Sequence, residues 1–554
     1  MNKSINIISR SSILAKIQAT MVGESIKNSN PNIHIEYITS KTSGDLDQNL
    51  DISSGTTVGV FTSDISKKVE ESDNSIAVHS WKDFPIVKNN ATGIYGTLKR
   101  ADMRDMLILK HSLKRKKNID KLTIMTSSPR RRYAIEKNLK DLVPINFDKV
   151  YFKDIRGNIH TRINKFLKDN THGIVIAKAA IDRIINDNTD NSDKNALIKE
   201  CLEKHHCMVL PLSIFPSAPA QGAIGIEVAN KNKHLIKIIE SINDIETFEN
   251  ANLERKIMSE YGGGCSQKIG VSIWNKNNSK IKSISGITEE NKKLETFDLI
   301  EKEHKNTTTK QNTKIFNAFP IGKSEQTIFK RKETNKNSEL QEIQESLIYI
   351  TRKNVLKHRP NFQDSCKLIT SGVKTWKEAA KKGYWISGTS DSLGQSEINS
   401  IKSLFGVKNI MKLTFKNEFA NNTNSIDLYE LKEPNFPNDF EERDNFFWMS
   451  PYAFKIAIKL YPSILKKHHS CGMGNTFEQV THEVNYQSAV SIAKLAKQAG
   501  VNHFVFASSC SVYVKNGNNS RHEGCKTQPL TAYAKSKITV SYTNLRSNET
   551  REDL

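Results

Sequence analysis

Along residues 1–230 the apolar positions alternate between two rhythms. Short apolar runs at 4–8, 75–80, 122–125, 150–155 and 173–177 read as buried strands. Between them apolar residues recur at helical spacing. Ile13, Leu14, Ile17 and Met21 follow Ser9-Arg10-Ser11-Ser12, which predicts a helix capped by Ser11 or Ser12. Pro129 suits a first helical position and Ser128 its cap. Strands alternating with helices predict an α/β multidomain fold of doubly wound layers. From 275 to 345 the rhythm thins into Lys, Glu, Asn and Thr, as at the end of a small domain and then a solvated linker. It returns at Leu347, and again as an amphipathic helix over 485–500 and a buried strand over 503–509.

Composition narrows the class. A chain of 554 residues is expected to hold roughly three to four domains. Its 37% hydrophobic and 26% charged residues suit globular cores, and no apolar run reaches membrane-span length. The opening MNKSINIISRSS lacks the apolar centre of a signal peptide. Seven cysteines without paired spacing point to a reducing compartment, and the cytoplasm is expected. A net charge of +22 suggests a polyanionic partner. Yet the lysines are scattered among Asn and Ile, with no zinc-finger spacing or RNP-like segment, so neither nucleic acid nor membrane is expected. Cys201-x5-Cys207 with His205 and His206 lacks a second ligand pair, so no metal is expected either.

The informative charges are arginines at turns. Arg130, Arg131 and Arg132 open a helix whose dipole prefers carboxylates there, at a cost of several tenths of a kcal/mol each unless an anion occupies the turn. Arg10 and Arg156 lie at strand exits, Arg162 and Arg183 on the helices that follow. Six such residues (Arg10, Arg130, Arg131, Arg156, Arg162, Arg183) predict a ligand rich in carboxylates, which a planar guanidinium grips by both oxygens. Lys82 and Asp83 sit on a loop stopped by Pro85, at a strand's carboxyl end where ligands gather in such sheets. Taken alone they could equally be a surface ion pair. Gly262-Gly263-Gly264-Cys265 bares the backbone beside one thiol, which suits a covalently attached group or simply a turn before a buried cysteine.

Five motifs in order, IAVHSWKDFP, TSSPRRR, RGNIHTR, FPSAPAQGAIGIE and GGGCSQKIG, make residues 1 to about 330 resemble hydroxymethylbilane synthase, also called porphobilinogen deaminase. The resemblance implies two periplasmic-binding-protein-like α/β domains, 1–99 (with 208–228 returning to it) and 100–207, plus a cofactor-carrying α+β domain over 229–330. It implies a dipyrromethane cofactor on Cys265, porphobilinogen as substrate, and four such molecules joined head to tail with release of ammonia. Asp83 would protonate the departing amine, stabilise the cationic intermediate and help remove the ring proton. The six arginines, with Ser12, Lys82, Thr126, Ser127 and Ser128, would hold the carboxylates. A monomer is expected.

Three departures stand out. SSGTTVGVF at 53–61 replaces a Gly-Lys-Gly loop, Lys268 stands where Pro is usual, and RADMRD at 100–105 lacks the usual Glu and Pro. None of them removes the cysteine, the aspartate or the arginines, so activity is expected, at full or reduced level. After a linker at 331–345, residues 346–477 are similar to uroporphyrinogen-III synthase through WMSPYAF and GMGNT, with Ser450, Tyr452 and Thr476 as candidates that could as well be capping and packing residues. Residues 478–554 look like part of a short-chain dehydrogenase or nucleotide-sugar epimerase, a partial Rossmann-like tail. Tyr533 and Lys537 match Tyr-x-x-x-Lys, with Ser509 or Ser511 as the nearby hydroxyl. No Gly-rich dinucleotide turn precedes them, so no competent cofactor site is expected there. An NAD-dependent epimerase and a non-catalytic anion-binding protein are the alternatives.

Overall fold

A computed structural model describes residues 4–471 apart from 41–61, 87–89, 188–191, 263–266, 277–278, 301–316, 322–324, 326–327, 335, 337, 392–394, 408, 417–423 and 449. The chain runs through β1 (Ser4–Arg10), β2 (His34–Ser40), β3 (Ser75–Ser80), β4 (Thr92–Gly96), β5 (Asp105–Leu109), β6 (Asn118–Met125), β7 (Asn146–Lys153), β8 (Gly173–Ala177), β9 (His206–Val209) and β10 (Ile224–Ala229). These strands form two sheets, ordered β2-β1-β3-β10-β4 and β7-β6-β8-β5-β9. Both follow one plan. Three parallel strands are followed by an antiparallel one, β10 or β5, that enters where the chain crosses from the other domain. The α/β arrangement is thus duplicated, one copy in each domain. Strands β5, β8, β9 and β10 are buried at every position; β8 reads as an unbroken apolar run, while Asp105, His206 and Glu227 interrupt the other three.

The return to the first domain begins later than position 208. Met208 and Val209 pair with Leu107 and Met106 in the second sheet, where their apolar side chains are fully buried. Helices α1 (Ile13–Ser29), α2 (Pro129–Asn138), α3 (Ile159–Lys168) and α4 (Lys178–Ile185) follow the strands they flank. Then α5 (Ile245–Ser259) packs on an antiparallel meander of β11 (Gly270–Lys276), β12 (Ser279–Ile287) and β13 (Lys293–Ile300). The polar composition beyond 275 concealed these strands. β13 leaves Lys293, Glu295 and Asp298 exposed, whereas β11 over Gly270–Ile273 and β12 over Ser283–Gly286 are buried through Gly and Ser as well as Val and Ile, which blurs the apolar rhythm.

The C-terminal unit contains β14 (Ala318–Phe319), β15 (Lys330–Glu333), β16 (Ser346–Ile350), β17 (Lys367–Thr370), β18 (Ile386–Thr389), β19 (Asn409–Lys416), β20 (Ser425–Lys432), β21 (Asn445–Trp448) and β22 (His468–Cys471). A six-stranded sheet, β15-β20-β19-β16-β17-β18, is inserted between β14 and its partners β21 and β22. Residues 318–333 therefore belong with this unit, across the boundary at 330 and the linker expected from 331. KRKE at 330–333 is exposed at all four positions and pairs with β20 through its backbone, with an ion pair from Lys330 to Glu433 beside it. A charged edge strand has no apolar signature.

The unit packs against the second domain. Trp376 on α6 (Val373–Lys381) is fully buried and its indole N–H donates to the Leu142 carbonyl at 2.9 Å. Arg104 Nη2 donates to Ser400 Oγ at 2.7 Å, and that hydroxyl donates to Asp102 at 2.9 Å. His206 Nε2 donates to the Ile386 carbonyl at 3.2 Å.

Burial pulls the His206 imidazole down to about 3, so it is neutral in the fold. The unfolded chain takes up that proton near pH 6.5 and the folded chain does not until about 3. Stability contributed by His206 is thus complete above pH 6.5 and drains away at up to about 1.4 kcal/mol for each pH unit below it. His206→Gln is expected to flatten the loss of stability between pH 6.5 and 4, measured by urea unfolding across that range. An unchanged slope contradicts this.

Candidate functional site

The carboxyl ends of the parallel strands in both sheets face one cavity. Its wall takes Gln18 from α1, Ser80 and Lys82 after β3, Arg131 from α2, Arg162 from α3, Arg183 from α4, and Gln221 and Gly222 from the crossing back to the first domain. Among the described residues four cations line it and no aspartate or glutamate does. Gly222 (φ +87°) is required there, since a Cβ would lie 2.5 Å from the Ala101 carbonyl oxygen of the outgoing crossing.

Each cation is held by something other than a carboxylate in the cavity. Lys82 Nζ donates to Gln221 Oε1 at 3.3 Å, and burial pulls its ammonium below the usual range while Asp83 pulls it back. Arg162 Nε donates to the Gly157 carbonyl at 2.7 Å, and burial lowers it also. Arg183 Nη2 donates to the Gly222 carbonyl at 2.7 Å, whereas its Nε is buried with no partner among the described residues. Burial brings that guanidinium down to about 10. Arg131 is anchored from behind, donating to Asp105 at 2.7 Å and to the Val175 carbonyl at 3.2 Å.

Arg130 has a different place. It is buried, pairs with Asp105 at 2.8 Å, donates to the Pro216 carbonyl at 2.8 Å, and is not part of the cavity wall. Burial pushes the Asp105 carboxyl up, but Arg130 and Arg131 more than offset this and hold it well below the carboxylate range. Adjacent residues on a helix diverge by about 100°, so one arginine faces the ligand space and its neighbour the hinge.

Asp83 ends a single 3₁₀ turn, Trp81–Asp83, and is exposed. Its carboxylate makes no hydrogen bond to a described residue, and it lies within the electrostatic reach of Lys82 and Arg162. Ser12 caps α1 through Ala15 N. Ser128 caps α2, and its own N–H donates to Thr126 Oγ1 at 3.2 Å. Ser127 Oγ brackets Ile155, accepting from its N–H at 2.9 Å and donating to its carbonyl at 3.0 Å. Arg10 ends β1 and Arg156 lies in the loop after β7, both half-buried and outside the cavity wall. Cys265 and the 53–61 loop fall outside the described residues.

Sequence reasoning passed over Gln18, Asp105 and Gln221. Gln18 and Ser80 exchange hydrogen bonds at 3.0 and 3.1 Å, and Gln221 ties Lys82 to Asp105. Neutral amides oppose no dipole, and only their place on the faces of known elements could have marked them.

In the C-terminal unit Ser450 caps α7 (Pro451–Leu460) and accepts from Arg352 Nη2 at 3.4 Å, while Tyr452 is buried on Phe329 and Phe415. Thr476, Ser509, Ser511, Tyr533 and Lys537 lie outside the described residues. Cys201 and Cys207 are buried thiols, the first pushed up to about 12 by burial. Among the described residues no group of three or more His, Cys, Asp or Glu could hold a metal, and no helix is long and apolar enough to cross a membrane.

A family model described as porphobilinogen deaminase, dipyromethane cofactor binding domain, matches residues 5–237. A second, described as the NAD dependent epimerase/dehydratase family, matches 469–552. The chain is 34% identical over 267 residues to the probable porphobilinogen deaminase of Picrophilus torridus, covering 48% of this chain and 84% of that protein. It is 33% identical over 267 residues to the porphobilinogen deaminase of Clostridioides difficile, covering 47% and 80%.

Arg162→Met and Arg183→Met are each expected to weaken binding of a polycarboxylate probe, benzenehexacarboxylate, about tenfold, the value of one charge-assisted hydrogen bond. Titration calorimetry at fixed ionic strength measures this. Arg130→Met is expected to register in melting temperature instead. Equal affinity of all three variants and the parent contradicts the assignment.

Proposed function

The chain belongs to the porphobilinogen deaminase family through its N-terminal half, and from that membership we propose that it is a hydroxymethylbilane synthase, a transferase joining four porphobilinogen molecules head to tail with release of ammonia. The observation that carries this reading is a cavity lined by Lys82, Arg131, Arg162 and Arg183, with no aspartate or glutamate among its described lining residues. An unpartnered buried guanidinium N–H is costly, and among the described residues Arg183 Nε is such a group. A ligand with two carboxylates on every pyrrole supplies the missing acceptors. The family's dipyrromethane fits the same residues, attached through Cys265 just past Gly262 (φ +93°), with Arg131, Arg162, Arg183 and Lys82 to hold its acid arms. When bound, that group supplies the pyrrole carbon to which the first substrate is joined.

Asp83 is the acid at the rim of this cationic space. Each coupling breaks the aminomethyl C–N bond, with a proton going to the leaving amine, and forms a C–C bond with loss of a proton from a ring carbon. One carboxylate can serve both transfers and return to its starting state. Its negative charge also favours the cationic carbon that develops between them. Lys82 beside it, held by Gln221, orients a carboxylate arm. After the fourth coupling the methylene of the tetrapyrrole would part from the held pyrrole carbon, which takes back a proton, and water, losing a proton, would add to that methylene as the hydroxyl of the product.

For the C-terminal unit we propose the uroporphyrinogen-III synthase-like role that would consume this product. Its support is the two-lobed topology, in which β14, β21 and β22 form one sheet although the whole six-stranded sheet lies between β14 and β21 in the chain. Arg352, at the exit of β16, reaches Ser450 of the other lobe.

One assay reads both proposals. Asp83→Asn is expected to lower kcat for porphobilinogen consumption by about 10²–10⁴-fold, with the protein still folded; turnover within a few fold of the parent contradicts the role of Asp83. The oxidised product is expected to be the type III uroporphyrin isomer, and type I alone contradicts the second activity.

A further inference from the structure

Helix α5 carries Glu254 and Arg255 side by side, and the two point to different parts of the site. Glu254 is fully buried in the crossings between domains. Its oxygens accept from Arg100 Nη1 and Nη2 at 2.8 Å each, from Ala220 N at 2.7 Å and from Ile273 N at 2.6 Å. It thereby fixes Ala220 in a left-handed conformation (φ +59°) that a residue with a Cβ rarely adopts. Arg255 points to the turn bearing Asp83. Its Nη1 donates to the Trp81 carbonyl at 3.3 Å and the Phe84 carbonyl at 2.9 Å, and its Nη2 to the Pro85 carbonyl. Trp81 also packs on Phe248 of the same helix, with ring centroids 5.3 Å apart.

The carbonyls of 81, 84 and 85 flank Asp83 on both sides, and one planar guanidinium gathers all three. The Asp83 carboxylate has no hydrogen bond to a described residue, so its direction depends on its backbone. We propose that Arg255 is a positioning residue for Asp83: it holds the Trp81–Asp83 turn to α5, and through Glu254 the same helix holds the turn in register with both crossings. This rests on the role given to Asp83 above. A misplacement on the order of 1 Å at a reacting group costs roughly 10²-fold in rate, which sets the expected effect.

The test uses the full chain carrying its covalent group, with loading measured by Ehrlich's reagent on denatured protein. Arg255→Met is expected to load fully, to lose about 10²-fold in kcat with KM changed less than about threefold, and to speed amide exchange in the peptide spanning 81–86. Combined with Asp83→Asn it is expected to be no slower than Asp83→Asn alone, because both act at one carboxylate. Arg255→Lys, which keeps one donor group, is expected to recover about tenfold. A kcat within twofold of the parent, a loss expressed only in KM, or losses that multiply in the double variant each overturn the proposal. Should Arg255→Met not fold, Arg255→Lys decides: a kcat equal to the parent overturns it. Full turnover by Asp83→Asn removes the premise instead, a result separate from these.

Discussion

Uncompensated positive charge inside a closed space is the constraint around which this molecule is arranged. Removing a cation from water costs several kcal/mol unless a counter-charge or hydrogen bonds replace the lost hydration. Arg131 has its counter-charge in Asp105; Lys82, Arg162 and Arg183 lean on a side-chain amide and two backbone carbonyls. Such an arrangement stores affinity for an anion. It also explains the cleft's position, because only where two sheets present their carboxyl ends to each other can residues from α1, α2, α3 and α4 converge.

The same space needs a scaffold that keeps two domains in register. Two crossings join them: the outgoing one carries Arg100, paired with Glu254 of the small domain, and Asp102, paired with Arg104, and Glu254 also accepts from Ala220 N on the return. Gln221 sits at the junction, bonded to Lys82 on one side and to Met103 and Asp105 on the other. The RADMRD segment, which departs from its family's usual residues, is thus fully engaged in this chain. The hinge and the ligand wall share side chains, so binding and domain closure are expected to be linked.

Much of this was legible in the residues. Arginines in a helix's first turn oppose its dipole, and that conflict marked Arg131; strand-exit positions marked Lys82 and Asp83. The signal could not separate Arg131 from Arg130, because it reports charge at a helix start and not the direction of a side chain. It was blind to Gln18 and Gln221, whose roles depend on partners far along the chain. Strands β13 and β15 escaped for another reason: a half-exposed or edge strand is held by backbone hydrogen bonds, which leave no trace in composition. The return to the first domain was placed slightly early because Met208 and Val209 are equally apolar in either sheet.

The central claim is that these cations surround a pair of pyrroles bonded to Cys265. Intact mass of the acid-denatured, dialysed chain, with Cys265→Ser beside it, tests this most directly. The account predicts a mass increment equal to two porphobilinogen-derived units that survives denaturation in the parent and is absent from the variant. A parent chain at its unmodified mass, after expression with ample porphobilinogen, contradicts it.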